Sequence, residues 1–251
     1  MKKFFKILGI LIATILILIG FLWLYAHEPE PTGKVSPEAD RMAEAMMAAV
    51  NKPAWDTTHY VHWTFAGRET FLWDRQRNYI DVKWQNKRVL LDINTLSGIA
   101  WQEDQKMEGE AAEQLIQKAW AHFCNDSFWL NAVVKADDSG TQRSIVQLDD
   151  GREGLKVDYS QGGVTPGDAY VWILDKNKRP VAWKMWVKII PVGGLEFSWS
   201  DWTTLSTGAQ IATSHIGPMG VNIAITDLKA GSSWKDMGLS TDPFSALEQK
   251  H

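Results

Sequence analysis

The chain has 251 residues, 45% of them hydrophobic and 22% charged, with a formal net charge of −4. That length accommodates one domain of about 200 residues plus a terminal extension. An acidic body without a basic stripe excludes nucleic acid as a partner, and the single cysteine, Cys124, excludes an intrachain disulfide and a thiolate metal cluster. Fourteen tryptophans against five tyrosines depart from ordinary composition. Each such ring buries roughly 150–250 Å² and can dominate a core or a binding surface.

The segment "MKKFFKILGILIATILILIGFLWLYAHEPEP" comes first. Lys2, Lys3 and Lys6 precede an uncharged apolar run from Ile7 to Ala26. As a helix rising about 1.5 Å per residue, the run spans a hydrocarbon core of roughly 30 Å. Trp23 and Tyr25 sit where an interfacial belt would be. Residues 1–26 are therefore predicted to be cytoplasmic lysines and a single transmembrane anchor. A cleaved signal peptide is the competing reading, but its apolar region is usually about 7–15 residues, with small residues before the cut. Here Leu24 stands where a small residue is preferred. Both readings place the body outside the cytoplasm, in a bacterial periplasm, and the anchored one makes the inner membrane a partner. Residues 27–35, with Pro29, Pro31 and Gly33, read as a short, stiff, solvated tether.

A helix is predicted next, with Ser36 as cap, Pro37 at the first helical position and Glu38 in the first turn. Ala39, Met42, Ala43, Met46, Ala49 and Val50 give it one apolar face. From Trp55 to Ile99 the period changes to two, as in antiparallel strands joined by short turns. A second helix begins at Glu110, with Leu115, Ile116, Ala119, Trp120 and Phe123 as its stripe. Strands are expected again at Phe128–Lys135, Arg143–Leu148, Leu155–Tyr159, Tyr170–Asp175, Val181–Ile190, Leu195–Trp202, Ala209–His215 and Val221–Leu228. The tail, 231–251, reads as irregular. The body, 36–230, is thus mainly β (α+β): ten to twelve strands in a curled antiparallel sheet or incomplete β-barrel, covered by two amphipathic helices.

No catalytic motif emerges. Asp168, in "TPGD", is expected to be a turn residue bonding its own backbone. Glu69, Asp74 and Asp81 could approach across strands as an acid pair, and a solvated hairpin rim accounts for them as well. His59 and His62 point to opposite faces, and no set of ligands converges on a metal. No catalytic residue, metal or cofactor is predicted. The feature above background is a stripe of large apolar side chains at alternating positions: Trp63, Phe65, Trp73, Trp84, Trp172, Trp183, Met185 and Trp199. They fit a filled core, and equally a core with an apolar cavity for a small molecule or lipid. Arg68, Arg75, Arg77 and Arg88 could meet a headgroup or form a solvated rim.

The order of membrane signal, helix, strands, inserted helix and further strands with an "LDKNKRP" hairpin resembles the superfamily of periplasmic lipoprotein carriers, the LolA/LolB-like fold. "FLWD", "NDSFWL", "PGDAYVW" and "PVAWKMW" look like motifs of membrane-tethered bacterial proteins. The resemblance implies an incomplete barrel closed by helices that holds acyl chains, and it carries no functional residue to a position here. The expectation is a non-catalytic, membrane-anchored binding protein for a lipid or acylated ligand, with those eight side chains lining the site. A structural subunit that meets an envelope protein partner, or a carbohydrate-binding module, remains the alternative.

Overall fold

The computed structural model describes residues 14, 26–164 and 166–248. The expected anchor, Ile7–Ala26, lies outside them except at its last residue and at Thr14. Among the described residues no helix is long and apolar enough to cross a membrane.

The period-two segments fold as strands. The first run is a meander of β1 (Tyr60–Phe65), β2 (Glu69–Asp74), β3 (Tyr79–Trp84), β4 (Lys87–Asp92), β5 (Ser97–Gln102) and the short β6 (Gln105–Lys106). The chain resumes after a helix with β7 (Thr141–Gln147), β8 (Glu153–Tyr159), β9 (Asp168–Leu174), β10 (Pro180–Trp186) and β11 (Leu195–Ser198). It ends with β12 (Ser200–Thr204), β13 (Gln210–Ile216) and β14 (Asn222–Gly231). One sheet is ordered β7-β8-β9-β10-β11, the other β12-β13-β14-β1-β2-β3-β4-β5-β6. Trp199 alone separates β11 from β12, so what the sequence suggests as one strand, Leu195–Trp202, is bent at this residue and belongs to both sheets. The Trp199 amide donates to the Val181 carbonyl at 2.8 Å, and the Ile216 amide donates to Ser198 Oγ at 2.9 Å. The two sheets are therefore halves of one curled, unclosed meander whose outermost strands are β6 and β7.

Register sorts the side chains by face. Trp63, Phe71, Val82, Val89 and Ala100 form one row. Leu155, Trp172, Trp183 and Phe197 form another. Both rows lie on the concave face, and helices cover them. Helix α1 (Pro37–Ala49) buries Ala39, Ala43, Met46 and Met47. Ser36 is its N-cap, but the expected cap hydrogen bond from the side chain is not made. A short α2 (Lys52–Asp56) follows. Helix α3 (Gly109–Asn131) is longer than its stripe suggests and continues into a three-ten turn at Ala132–Lys135. The predicted strand Phe128–Lys135 is thus helical. Its aromatic and β-branched residues favour strand locally, but the buried positions Ala119, Phe123, Ser127, Leu130 and Val134 keep helical spacing, and packing overrides propensity.

Two terminal segments cover the convex face. Residues 27–35 are exposed for the most part, as expected of a tether, but they are also bonded to the body. Lys184 pairs with Glu28 at 2.8 Å and Lys156 with Glu30 at 2.6 Å. The acids stand two apart on an extended chain, so both project toward the same face. Trp186 Nε1 donates to the Glu28 carbonyl at 2.8 Å. A Cβ on Gly193 would stand 2.9 Å from that carbonyl, so the close approach requires glycine. Lys34 and Ile145 exchange backbone hydrogen bonds of 2.8 and 3.0 Å, which protects the β7 edge. The tail is also more ordered than expected: a three-ten turn at Trp234–Met237 with a Ser233–Asp236 capping box, then α4 (Ser245–Glu248). Phe244 and Leu247 pack with Tyr60, Leu72 and Leu90. Arg77 fastens the tail, bonding Asp74 at 2.6 Å, Asp242 at 2.7 Å and Glu248 at 2.8 Å.

Phe244 is fully buried. Phe244→Ala should lower stability by about 3 kcal/mol in urea titration. Limited proteolysis should then remove the tail before the sheets are cut. An unchanged urea midpoint would show that the tail contributes nothing to the body.

Candidate functional site

The concave face brings together all eight side chains expected to line a site. Trp63, Phe65, Trp84, Trp172, Trp183, Met185 and Trp199 are buried in one cluster, with Trp73 half-buried against it. They form two groups bridged by α3. In one, Trp63 stacks on Phe71 at 4.7 Å and Trp73 meets Phe123 of α3 edge-on at 5.0 Å. In the other, Trp172, Trp183 and Trp199 lie 4.9–5.0 Å from one another, and Trp129 of α3 is 4.9 Å from Trp183. At these separations the rings are in contact. Two depressions, of about 580 and 200 Å³, lie elsewhere. The larger is beside the strap at Pro31, Lys34 and Ile145, and the smaller is under the tail at Leu72, Lys83 and Met237.

The indole N–H groups of Trp63, Trp73, Trp84, Trp172, Trp183 and Trp199 are buried and have no hydrogen-bond partner among the described residues. By contrast, Trp186 on the convex face bonds the strap, and Trp202 donates to the Trp199 carbonyl. Leaving a buried donor unpaired costs about 1–3 kcal/mol. Six on one face make it an apolar surface studded with donors.

Helix α3 brings polar groups to the same face. Asp126 is 3% exposed. Its Oδ1 accepts from Asn125 Nδ2 at 2.8 Å, and its Oδ2 has no partner among the described residues. Burial pushes its pKa from the ordinary 3.8 up to about 7; the Asn125 bond opposes the rise and the Glu69 charge adds to it. Across the gap on β2, Glu69 lies 3.9 Å from His122 Nδ1, and Arg68 Nε lies 3.5 Å from Glu69 Oε2. Burial holds His122 below its usual pKa against the pull of Glu69, and its ring packs 5.4 Å from Trp84. Neither His122 nor Asp126 stands out in the sequence as a site residue. The signal for Asp126 is a charged residue in line with Phe123 and Leu130 on the apolar stripe.

Other expectations change. Glu69, Asp74 and Asp81 are all buried rather than solvated. Glu69 shares the concave row of Phe65 and Trp84, whereas Asp74 and Asp81 occupy convex rows with Tyr79 and Leu90, so the three do not form an acid pair. Asp168 opens β9 and accepts from the Lys188 amide at 3.0 Å, tying two turns together. Arg75 bonds the Trp55 and Thr58 carbonyls. Arg88 grips Asp81 through two hydrogen bonds of 3.0 and 2.9 Å. Of the four arginines considered for a headgroup, Arg68 alone is mostly exposed. Among the described residues no three His, Cys, Asp or Glu side chains are grouped to hold a metal.

No family model matches the chain, and no curated protein matches it. Among solved structures, a DUF1329 family protein from Desulfovibrio piger is similar to it. The identity is 14% over 83% of this chain and 98% of that chain, with a TM-score of 0.44.

Asp126 gives the site a pH signature. Below about pH 4 its carboxyl is protonated in folded and unfolded chains alike, so its burial opposes folding little. Between that pH and about 7 the unfolded chain ionises first, and stability falls as pH rises. Above about 7 the penalty is complete. Asp126→Asn should therefore stabilise the protein by about 2–4 kcal/mol at pH of about 8.5 and by much less at about 4, measured by urea denaturation. Equal effects at both pH values would mean that the carboxyl is not buried as described.

Proposed function

We propose that this chain is a non-catalytic, membrane-anchored binding protein of the cell envelope, with a lipoprotein-carrier-like body that takes up the apolar chain of a lipid or acylated ligand between α3 and the concave face. The observation that carries the reading is the row of six buried, unpartnered indole donors on an otherwise apolar surface. An acyl chain satisfies the ring faces, and its ester or amide carbonyl accepts from an indole N–H. Arg68, His122 and Asp126 supply polar contacts at the same face. A sugar platform would need exposed ring faces, and these rings are buried.

A second reading has its own support. The rings touch at about 5 Å across α3, as they would in the filled core of a structural subunit of an envelope complex. One measurement separates the two. The full chain is extracted gently from bacterial membranes and studied by native mass spectrometry. A discrete added mass that partitions into organic solvent supports binding. A chain that stays apo after incubation with envelope lipids would sink it and leave the filled-core subunit.

Affinity for a series of fluorescent acyl probes should rise roughly fourfold per methylene, since each buried CH2 contributes about 0.8 kcal/mol. Bound probe should also speed amide exchange along residues 115–131, because the chain must part α3 from the sheet. Affinity that does not depend on length would place the probe on the surface.

A further inference from the structure

We infer that three neighbouring turns at one end of the curled sheet form a rim that rests on the lipid surface of the membrane holding the anchor. The inference depends on the anchored reading above and adds which surface of the body the bilayer meets.

Strand direction fixes which turns share an end. Strand β8 ends where β9 begins (Tyr159 opposite Asp168), β10 ends where β11 begins (Met185 opposite Leu195), and β13 ends where β14 begins (Ile216 opposite Asn222). Pairing down the meander puts these three turns at the same end. Lys188 ties the first two together, its amide donating to Asp168 Oδ1 at 3.0 Å and its Nζ to the Pro166 carbonyl at 2.5 Å. The third turn packs beside β11, where Gly217 sits against the Phe197 ring.

The sequences of these turns are "VKIIPVGG" (187–194), "IGPMGV" (216–221) and "SQGGVTPG" (160–167); Lys188 is their one charged residue, and its ammonium is bonded to the Pro166 carbonyl. They hold Ile189 at 69% exposure, Met219 at 99% and Val164 at 47%, with Ile216 and Val221 half-exposed. At the opposite end the turns "RQRN" (75–78), "DDGR" (149–152) and "DKNKR" (175–179) are charged, while "INTL" (93–96) and "LSTGA" (205–209) are not and expose one large apolar side chain, Leu96. The remaining turns of the rim end, at 66–68, 85–86 and 103–104, are polar or charged, so the apolar patch is confined to one side.

The tether is fastened on that side. The Glu28 amide donates to the Gly193 carbonyl at 3.0 Å, and the Gly193 amide donates to His27 Nδ1 at 3.0 Å. The apolar run that would cross the membrane ends at Ala26. At about 3.5 Å per residue, the turn carrying Ile189 is held within roughly 7 Å of the end of that run. A bonded strap of this length cannot swing the body to present its charged end. Exposed Ile, Met and Val on tethered turns are thus placed where an interfacial lipid layer covers them.

The test uses the full chain in vesicles of phosphatidylethanolamine and phosphatidylglycerol that carry a nitroxide on the upper acyl chain. Ile189→Cys, Met219→Cys and Val164→Cys are labelled with an environment-sensitive dye, and Lys176→Cys at the opposite end is the control. Burial raises the Cys124 thiol to about 12, so it labels poorly at neutral pH, and the unsubstituted chain gives the background. Quenching several-fold stronger at positions 164, 189 and 219 than at 176 supports the rim. Protein that floats with the vesicles but is quenched no more at the rim than at 176 overturns the rim and leaves the anchor intact. Protein that does not float overturns both.

Discussion

An open antiparallel sheet has one apolar face that no second sheet covers, and the architecture follows from how that face is closed. Here the cover is α3. Its 23 residues extend about 35 Å, long enough to reach from one ring cluster to the other. Phe123 meets the rings of β1 and β2, and Trp129 meets those of β10 and β11. Without the helix both ring clusters would face water, and burial of apolar area is the dominant favourable term in folding. Helix α1 and the bend at Trp199 serve the same closure. The helix covers β7 and β8, and the bend lets a single strand carry the sheet around the helix.

The convex face is handled differently because its composition differs. It mixes Leu72 and Leu90 with Asp74, Asp81 and Arg88, so a light cover suffices. The tail supplies Phe244 and Leu247 for the apolar part. Arg77 gathers three carboxylates for the polar part, which places Asp242 below its usual pKa through the Arg77 bonds. On the other half of the same face the strap pairs two acids with two lysines. Such ion pairs add modest stability, but they fix where the chain leaves the body. That position matters more than their energy, since under the proposed anchoring it sets the orientation of the sheet.

Much of this was legible in the sequence. The alternation of Trp, Val and Phe with polar residues marks the strands; register puts Trp63, Trp73, Trp84, Trp172 and Trp183 on one face, and ring contacts with Trp172 and Trp183 add Trp199. The bend at Trp199 was not legible, because both sides of it keep strand alternation and a corner depends on long-range pairing with Val181 and Ser198. The end of α3 was misread since Phe128, Trp129, Val133 and Val134 carry strand propensity, and burial against distant strands outweighs it. That the strap is bonded was not legible because its proline and glutamate content describes a free linker equally well; Lys156 and Lys184, more than 120 residues away, fasten it. Asp126 carries a faint local signal, a charge on an apolar stripe, but its burial depends on where Glu69 and Trp84 stand.

These points bear on how a ligand could reach the indoles. Parting the strands would break continuous ladders of backbone hydrogen bonds, each pair dependent on its neighbours. Lifting α3 breaks side-chain packing and leaves its own backbone bonds intact. The helix is joined to the sheet by the two-residue β6 at one end and a single three-ten turn at the other, so few bonds resist the motion. Lifting it would also return Asp126 to water, where its carboxyl ionises without penalty. The buried acid thus offsets part of the packing that holds the cover down. A buried acid on the covering helix weakens the closed state, which is the property that the proposed opening of this face requires.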